Sequence, residues 1–411
     1  MSLYKTVKQC RICNSKNLVK YLDLGKTPLA NSLIDTKNKS KKELKFPLRV
    51  LYCKDCSLSQ LSIVVNPKVL FSQYVYRSSI SKTFEKHCKE MAEKLVRMIK
   101  NYKNDLVVDI ASNDGCLLRQ FKDKGFRVVG VEPARNIANI ANSNGIETLC
   151  TFWNHDVSKK IMEKYGQVKV ITATNVLAHV DDLNEFLKAG NSLLEKDGLF
   201  VVEVPYLYDL LMKNEFDTVY HEHLSYFLVK SLKKLYEANG LNIFRIEEYP
   251  IHGGSLRIYA SKNTLKIDKS VNDLLEFENN EKLYDAKTYK SFENKVKNIK
   301  KDLVNLLKKL KKNQKKIVAY GASAKGNTLL NYCGIDKNLI SFVVDDTPEK
   351  QNKFAPGSKI PIKSSDYLDT EKPDYIVLLA WNFAKELMSK TKEHKLRGGK
   401  YIIPIPKVII I

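Results

Sequence analysis

Cys10-x-x-Cys13 and Cys53-x-x-Cys56 are two C-x-x-C pairs separated by 39 residues. Each pair offers one edge of a tetrahedral four-thiolate zinc site. Four thiolates leave no open coordination position, so the zinc expected on Cys10, Cys13, Cys53 and Cys56 is structural and not catalytic. A second concentration of reactive side chains is Val219–Phe227, VYHEHLSYF, with two of the chain's seven histidines, an acid and two tyrosines. Its second histidine follows at i+2, unlike the H-E-x-x-H of zinc peptidases. On an extended segment His221 and His223 share one face and could hold a metal. A general acid/base cluster accounts for the composition better, because His titrates near neutrality, Glu can orient it and Tyr can donate to an oxyanion.

A third stretch, Leu106–Pro133 (LVVDIASNDGCLLRQFKDKGFRVVGVEP), is where a nucleoside would be held. Its apolar start reads as a buried parallel strand. The turn Asp109-Ile110-Ala111-Ser112-Asn113-Asp114-Gly115 is small and polar, which lets backbone approach a ligand. Cys116–Lys124 has helical spacing, and a second β-branched run ends in Glu132, 23 residues beyond Asp109. A carboxylate there suits the vicinal hydroxyls of a ribose. A dinucleotide would require G-x-G-x-x-G, and its diphosphate would be repelled by Asp109 and Asp114. S-adenosylmethionine, which carries a sulfonium and an ammonium and no phosphate, fits the acids. Asp109, Ala111, Ser112, Asn113, Asp114, Gly115, Glu132 and Pro133 are therefore the expected donor site.

These residues need elements to position them. Asn66–Ser81 reads as a hinge carrying Tyr74 and Tyr76, and Thr83–Lys100 as an amphipathic helix leading into the first βαβ unit. Val168–Ala173 is a further strand, and ligands bind beyond the carboxyl ends of strands in open α/β sheets, which brings Asn175 and His179 to the donor loop. Gly198–Glu203 continues the sheet. Arg257, on a strand after the glycine turn His252-Gly253-Gly254, could clamp an anion or simply pair with an acid. Phe292, Val296, Ile299, Leu303, Leu306 and Leu310 recur at 4-3-4-3-4 spacing and mark a long helix.

Lys316–Asn331 then repeats the strand–turn–helix pattern. Its turn, Gly321-Ala322-Ser323-Ala324-Lys325-Gly326-Asn327, carries a Lys and no acid, which suits a diphosphate. The fold class expected is α/β: an N-terminal zinc-binding module (1–70), a central Rossmann-like methyltransferase sheet (71–265) and a C-terminal second Rossmann-like α/β domain (266–411).

The chain of 411 residues carries a net charge of +23, from 69 basic and 46 acidic residues. Much of the excess is Lys between Lys290 and Lys316 at helical spacing, which reads as a solvated face; nucleic acid is not the expected partner. No apolar run of about 18 residues indicates a membrane span. The start MSLYKTVKQC lacks an apolar signal core, so a cytoplasmic protein with reduced cysteines is expected.

Taken together and in this order, these motifs resemble the sugar C-methyltransferases that act on nucleotide-linked ketosugars in deoxysugar biosynthesis. The likeness covers nearly the whole chain. It rests on the four cysteines with Leu24-Gly25 and Pro28-Leu29-Ala30-Asn31, on Ser112-Asn113-Asp114-Gly115, on Tyr220-His221-Glu222-His223, on Gly253-Gly254-Ser255-Leu256-Arg257 and on Tyr320-Gly321-Ala322-Ser323-Ala324-Lys325-Gly326. Ala111 departs from the family's more usual Gly, a small change that is not expected to abolish cofactor binding. The resemblance implies S-adenosylmethionine as donor and an NDP-linked 4-keto-deoxyhexose as acceptor, methylated at carbon 3 through an enolate. His223 is then the base, Glu222 orients or tunes it, and Tyr220 and His179 bond the ketone oxygen. Asn175 and Tyr74 are assigned to the donor, and Tyr76, Arg257, Gly321, Ser323, Lys325, Gly326 and Asn327 to the acceptor; the two tyrosines are interchangeable at this level. A monomer is expected. Two alternatives are a nucleic-acid methyltransferase, which leaves the second βαβ unit unexplained, and a non-catalytic nucleotide-sugar-binding protein, against which Glu132 and His223 argue.

Overall fold

The structure, a computed structural model, describes residues 3–70, 79, 82–99, 104–251 and 253–411. Tyr74, Tyr76 and His252 lie outside the described residues. Three sheets carry the architecture.

The central sheet has seven strands in the spatial order Asn242–Tyr249, Ser255–Ser261, Leu194–Pro205, Val168–Thr174, Leu106–Ile110, Arg127–Val131, Thr148–Leu149. Ser255–Ser261 runs antiparallel to both its neighbours, and the pairings from Leu194–Pro205 through Thr148–Leu149 are parallel. Its inner strands, Leu106–Ile110, Val168–Thr174, residues 200–204 of Leu194–Pro205, and Ser255–Ser261, are almost fully buried, as in a sheet covered on both faces. The strand order reverses between Leu106–Ile110 and Val168–Thr174, so a crevice opens there at the carboxyl edge. Among the elements not foreseen are helices His155–Tyr165, Leu207–Met212, Val229–Glu237 and Lys269–Asn280, and strand Asn242–Tyr249.

The C-terminal sheet has the order Ile362–Lys363, Val343–Val344, Ile317–Tyr320, Tyr375–Leu378, Lys400–Ile403, Ile409–Ile410 and is parallel except at its last strand. The run 340–346, which reads from the sequence as a strand ending in acids, forms one only at Val343–Val344, because Ile340 and Phe342 lead into the sheet as buried loop. The long helix spans Ala286–Lys312 and buries Tyr289, Phe292, Val296, Ile299, Leu303, Leu307 and Leu310. Leu307 takes the inward place expected of Leu306, consistent with 3.6 residues per turn drifting against a strict seven-residue repeat.

The N-terminal module is sewn to both other sheets. Its strands Leu18–Thr27, Phe46–Cys53 and Ser59–Leu61 form one sheet, whose fourth strand is Ser225–Tyr226 of the central region. Ile34–Asp35 pairs with Lys353–Phe354 of the C-terminal region. Tyr52 stacks on Tyr289 of the long helix with ring centroids 4.4 Å apart. No described helix is long and apolar enough to cross a membrane.

Candidate active site

One cavity of about 560 Å³ lies at the carboxyl edge of the central sheet. Residues following five strand ends line it: Asp109 to Asn113, Glu132 to Ala134, Phe152 and Trp153, Thr174 to Val176, and Pro205. His179, Thr218, Tyr220, Glu222 and His223 close another wall, while Asn31 and Pro67 reach in from the zinc module and Lys325 from the C-terminal domain.

The donor loop is a reversal made of three left-handed residues, Ala111 (φ 57°), Asn113 (φ 51°) and Gly115 (φ 79°). Asn and Gly tolerate that region; Ala111 is strained there by about 1 kcal/mol. The loop lies so close to the second strand that a Cβ at Gly130 would sit 2.4 Å from Ser112 Oγ. Glu132 accepts from the backbone N–H of Asn113 (3.1 Å) and Ala134 (2.8 Å). Burial pushes its carboxyl up, and those two donors restrain the rise. Asp109 accepts from Thr172 Oγ1 at 2.7 Å. Burial pushes it up to about 7, against the Thr172 bond and helped by Glu132 and Glu203. Both acids are thus uncomfortable without a cationic or hydroxyl-bearing partner. Glu132→Ala is expected to weaken S-adenosylmethionine binding about 10- to 100-fold, the size of a charged hydrogen bond, as calorimetric titration would show.

Two residues expected in this site have other work. Asp114 does not line the cavity; its Oδ2 accepts from Ser79 N (3.0 Å) and Oγ (2.5 Å), so it anchors Ser79. Gly115 also lies off the cavity, at the head of helix Cys116–Lys122.

In the Y-H-E-H segment, His223 Nδ1 is 2.9 Å from the carbonyl oxygen of Thr218, which can only accept. The ring therefore carries its hydrogen on Nδ1, and Nε2 accepts from the Tyr220 hydroxyl at 2.9 Å. His179 stands edge-on to His223, with centroids 4.9 Å apart. Burial depresses His179 to about 4, against backbone groups at Glu222 and Asn175, so it is neutral. Glu222 was expected to orient His223. Its carboxyl instead accepts from Asn31, whose Nδ2 donates to Oε1 at 2.7 Å, and a backbone carbonyl orients the imidazole. His221 points away, toward the carbonyl of Pro47 (3.3 Å) and edge-on to Phe46, which disposes of a metal shared with His223.

Of the residues expected to bind acceptor, Lys325 lines the cavity. Its ammonium has no hydrogen-bond partner among the described residues and lies over the Trp381 ring, 5.3 Å from the centroid. Gly321, Ser323, Gly326 and Asn327 do not line it. Ser323 caps its helix by accepting from Gly326 N (3.1 Å), and Asn327 donates to the carbonyl of Ala30 (2.8 Å). The turn also meets an acid: Asp345 Oδ2 accepts from Ala322 N at 2.7 Å. Arg257 is buried, pairs with Glu203 at 2.5 Å and bonds Tyr249 at 3.0 Å, so it is the ion-pair reading that holds.

The cavity also contains residues that the sequence did not single out. Phe152 and Trp153 follow the third strand of the βα series, where an aromatic pair after a short strand was the available signal. Asn31 stood in the Pro28-Leu29-Ala30-Asn31 motif but without a role, because the carboxyl it meets is 191 positions away.

The sulfurs of Cys10, Cys13, Cys53 and Cys56 all lie within 4.8 Å of one another. Cys10 and Cys56 are 3.4 Å apart, Cys13 and Cys53 3.7 Å. Sulfurs about 2.3 Å from a tetrahedral zinc are separated by roughly 3.8 Å, so the donor set fits. Each knuckle closes alike, Asn14 N to Cys10 O and Ser57 N to Cys53 O, with Asn14 and Ser57 both left-handed. Zinc held there would tie the ends of the module together and take no part in chemistry. Cys53→Ser is expected to lose zinc and lower the melting temperature, which metal analysis and calorimetry would show.

Three family models match the chain: a zinc binding domain over residues 10–71, a methyltransferase domain over 83–246 and a C-methyltransferase C-terminal domain over 250–406. The C-methyltransferase NovU of Streptomyces niveus is 36% identical over all 411 residues, which cover 98% of that protein. Among solved structures, magnesium protoporphyrin IX methyltransferase of Synechocystis PCC 6803 covers 44% of this chain and 79% of its own, at 13% identity and a TM-score of 0.34. An S-adenosylmethionine-dependent methyltransferase of Clostridium acetobutylicum covers 42% and 89%, at 17% identity and a TM-score of 0.34. Both scores are too low to bear on this chain. The chain belongs to the C-methyltransferase family, and it is an S-adenosylmethionine-dependent enzyme with a zinc-binding module.

Proposed function

We propose that this enzyme methylates an NDP-linked 4-keto-deoxyhexose at carbon 3, by way of a base-generated enolate. The observation that carries the reading is the fixed tautomer of His223, an acceptor nitrogen sharing one cavity with Asp109 and Glu132. Amine and hydroxyl acceptors often need less base than a carbon acid does, so a positioned base favours the carbon acid. The proton α to the ketone passes to His223 Nε2, taking the place of the Tyr220 hydrogen. Tyr220, so released, and neutral His179 then donate or orient toward the ketone oxygen as charge gathers there, a contribution of about 10²–10³ in rate per good donor. The carbanion attacks the sulfonium methyl; the new C–C bond forms as the S–CH₃ bond breaks, and the proton on His223 leaves to solvent. Lys325, which lines the same cavity, supplies a point charge for the diphosphate.

Incubation with S-adenosylmethionine and a panel of NDP-linked 4-keto-deoxysugars in deuterated water tests this. The expected result is a product heavier by one methyl on carbon, with deuterium entering carbon 3 before transfer. A ketone at carbon 4 acidifies carbon 5 as well, so exchange and methylation confined to carbon 5 would overturn the position. Absence of both from every ketosugar would overturn the acceptor.

A further inference from the structure

The segment bearing the acid/base residues belongs as much to the zinc module as to the central domain. Ser225–Tyr226 is a strand of the module's sheet, paired with Ser59 and Gln60. Leu61 N donates to Leu224 O at 2.9 Å, and Arg11, only 8% exposed, donates from one nitrogen to the carbonyls of both Leu61 (3.2 Å) and Leu224 (3.3 Å). His221, one residue before Glu222, bonds Pro47 O and packs on Phe46.

From that scaffold the loop Pro28–Asn31 brings one side chain to the cavity. Asn31 lines it and donates from Nδ2 to Glu222 Oε1 at 2.7 Å. Glu222 is 6% exposed, and its other oxygen has no hydrogen-bond partner among the described residues. The loop is itself pinned: Asn327, 2% exposed, donates to Ala30 O at 2.8 Å, and Leu29 packs on Phe46, Ile63 and Val65. Asn31 is therefore held from the module and from the C-terminal domain at once. A carboxyl with one oxygen fixed and the other open has a defined direction, and the open oxygen is the one an acceptor can meet.

We propose that Asn31 is a positioning residue for the active site: its carboxamide fixes the Glu222 carboxyl toward the acceptor, which makes the zinc module a working wall of the cavity. The inference rests on the methyl-transfer reading only for the identity of that acceptor. Its electrostatic sign is definite. Burial pushes Glu222 up to about 7 and the Asn31 donor opposes this, because a donor favours the charged form. Loss of the donor raises the carboxyl further.

The test uses full-length, zinc-loaded protein with S-adenosylmethionine and no acceptor. The Glu222 carboxyl is titrated by infrared difference spectroscopy with ¹³C-labelled glutamate, Glu222→Gln identifying its band. In Asn31→Ala the midpoint is expected roughly one pH unit higher. Turnover is expected to fall about ten-fold with little change in the KM of either substrate, and donor affinity and zinc content to stay at the wild-type level. Asn31→Asp, which keeps the shape but offers an acceptor, should do worse than Asn31→Ala as pH rises. An unmoved midpoint would overturn the proposal, as would a fall in turnover matched by loss of zinc or donor affinity. If no ketosugar is turned over by wild-type protein while the midpoint moves as stated, the acceptor reading falls and the positioning role stands.

Discussion

Replacing His223 with alanine is expected to lower turnover by about 10²–10⁴-fold, the usual worth of a positioned general base, while S-adenosylmethionine binds as before. The separation follows from where the parts sit. The residues read as the donor site follow strands Leu106–Ile110 and Arg127–Val131, and His223 hangs from the segment that joins the zinc module's sheet. The imidazole is also the better base of its pair. Its Nδ1–H is committed to Thr218 O, so proton uptake at Nε2 creates a cation whose other hydrogen already has a carbonyl partner. Deuterium exchange of the acceptor should vanish along with methyl transfer in His223→Ala. Tyr220→Phe, which frees Nε2, should keep exchange and lose only the oxygen-side donation. If His223→Ala still exchanged deuterium within ten-fold of wild type, the base would lie elsewhere.

What could be read from the sequence was what depends on neighbours along the chain. Strand–turn–helix patterning placed the donor loop, because a short apolar run, a small polar turn and an amphipathic helix are each local. The four cysteines were legible because C-x-x-C is itself the ligand edge. The same locality explains the misses. Asp114 sits in the loop and has a donor loop's composition, yet its direction is set by Ser79, 35 positions away. The Lys325 turn looked free of acids because Asp345 comes 23 positions later, at the end of the next strand. Glu222 was matched with its sequence neighbour His223, whereas the module's sheet turns that carboxyl toward Asn31. A residue's chemistry is in the sequence; which way it points is in the pairing of segments far apart.

Arg257 carries the largest expected effect on stability. Its guanidinium, 1% exposed, meets Glu203, 0% exposed, at 2.5 Å, on the cross-strand register where the two residues stand directly opposite. His87 completes the group, with Nε2 at 2.9 and 3.0 Å from the two carboxylate oxygens of Glu203. Burial alone would push Glu203 up; His87 and Arg257 outweigh it and hold the carboxyl below its ordinary value. A depressed acid contributes stability that is present above its unfolded pKa and is lost as pH falls through the folded one. Arg257→Ala leaves a carboxylate buried in the sheet with its main cation gone, and a loss of about 3–5 kcal/mol is expected. In that variant Glu203 rises from its wild-type value, with His87 as its remaining partner, so less of its contribution is lost as pH falls. The gap in melting temperature between wild type and Arg257→Ala should therefore narrow on going from pH 8 to pH 5. Glu203→Gln made in the Arg257→Ala background should recover part of the loss at pH 8, since it removes the stranded charge. An Arg257→Ala protein as stable as wild type, with only its acceptor KM raised, would mean that the guanidinium serves an anionic substrate after all.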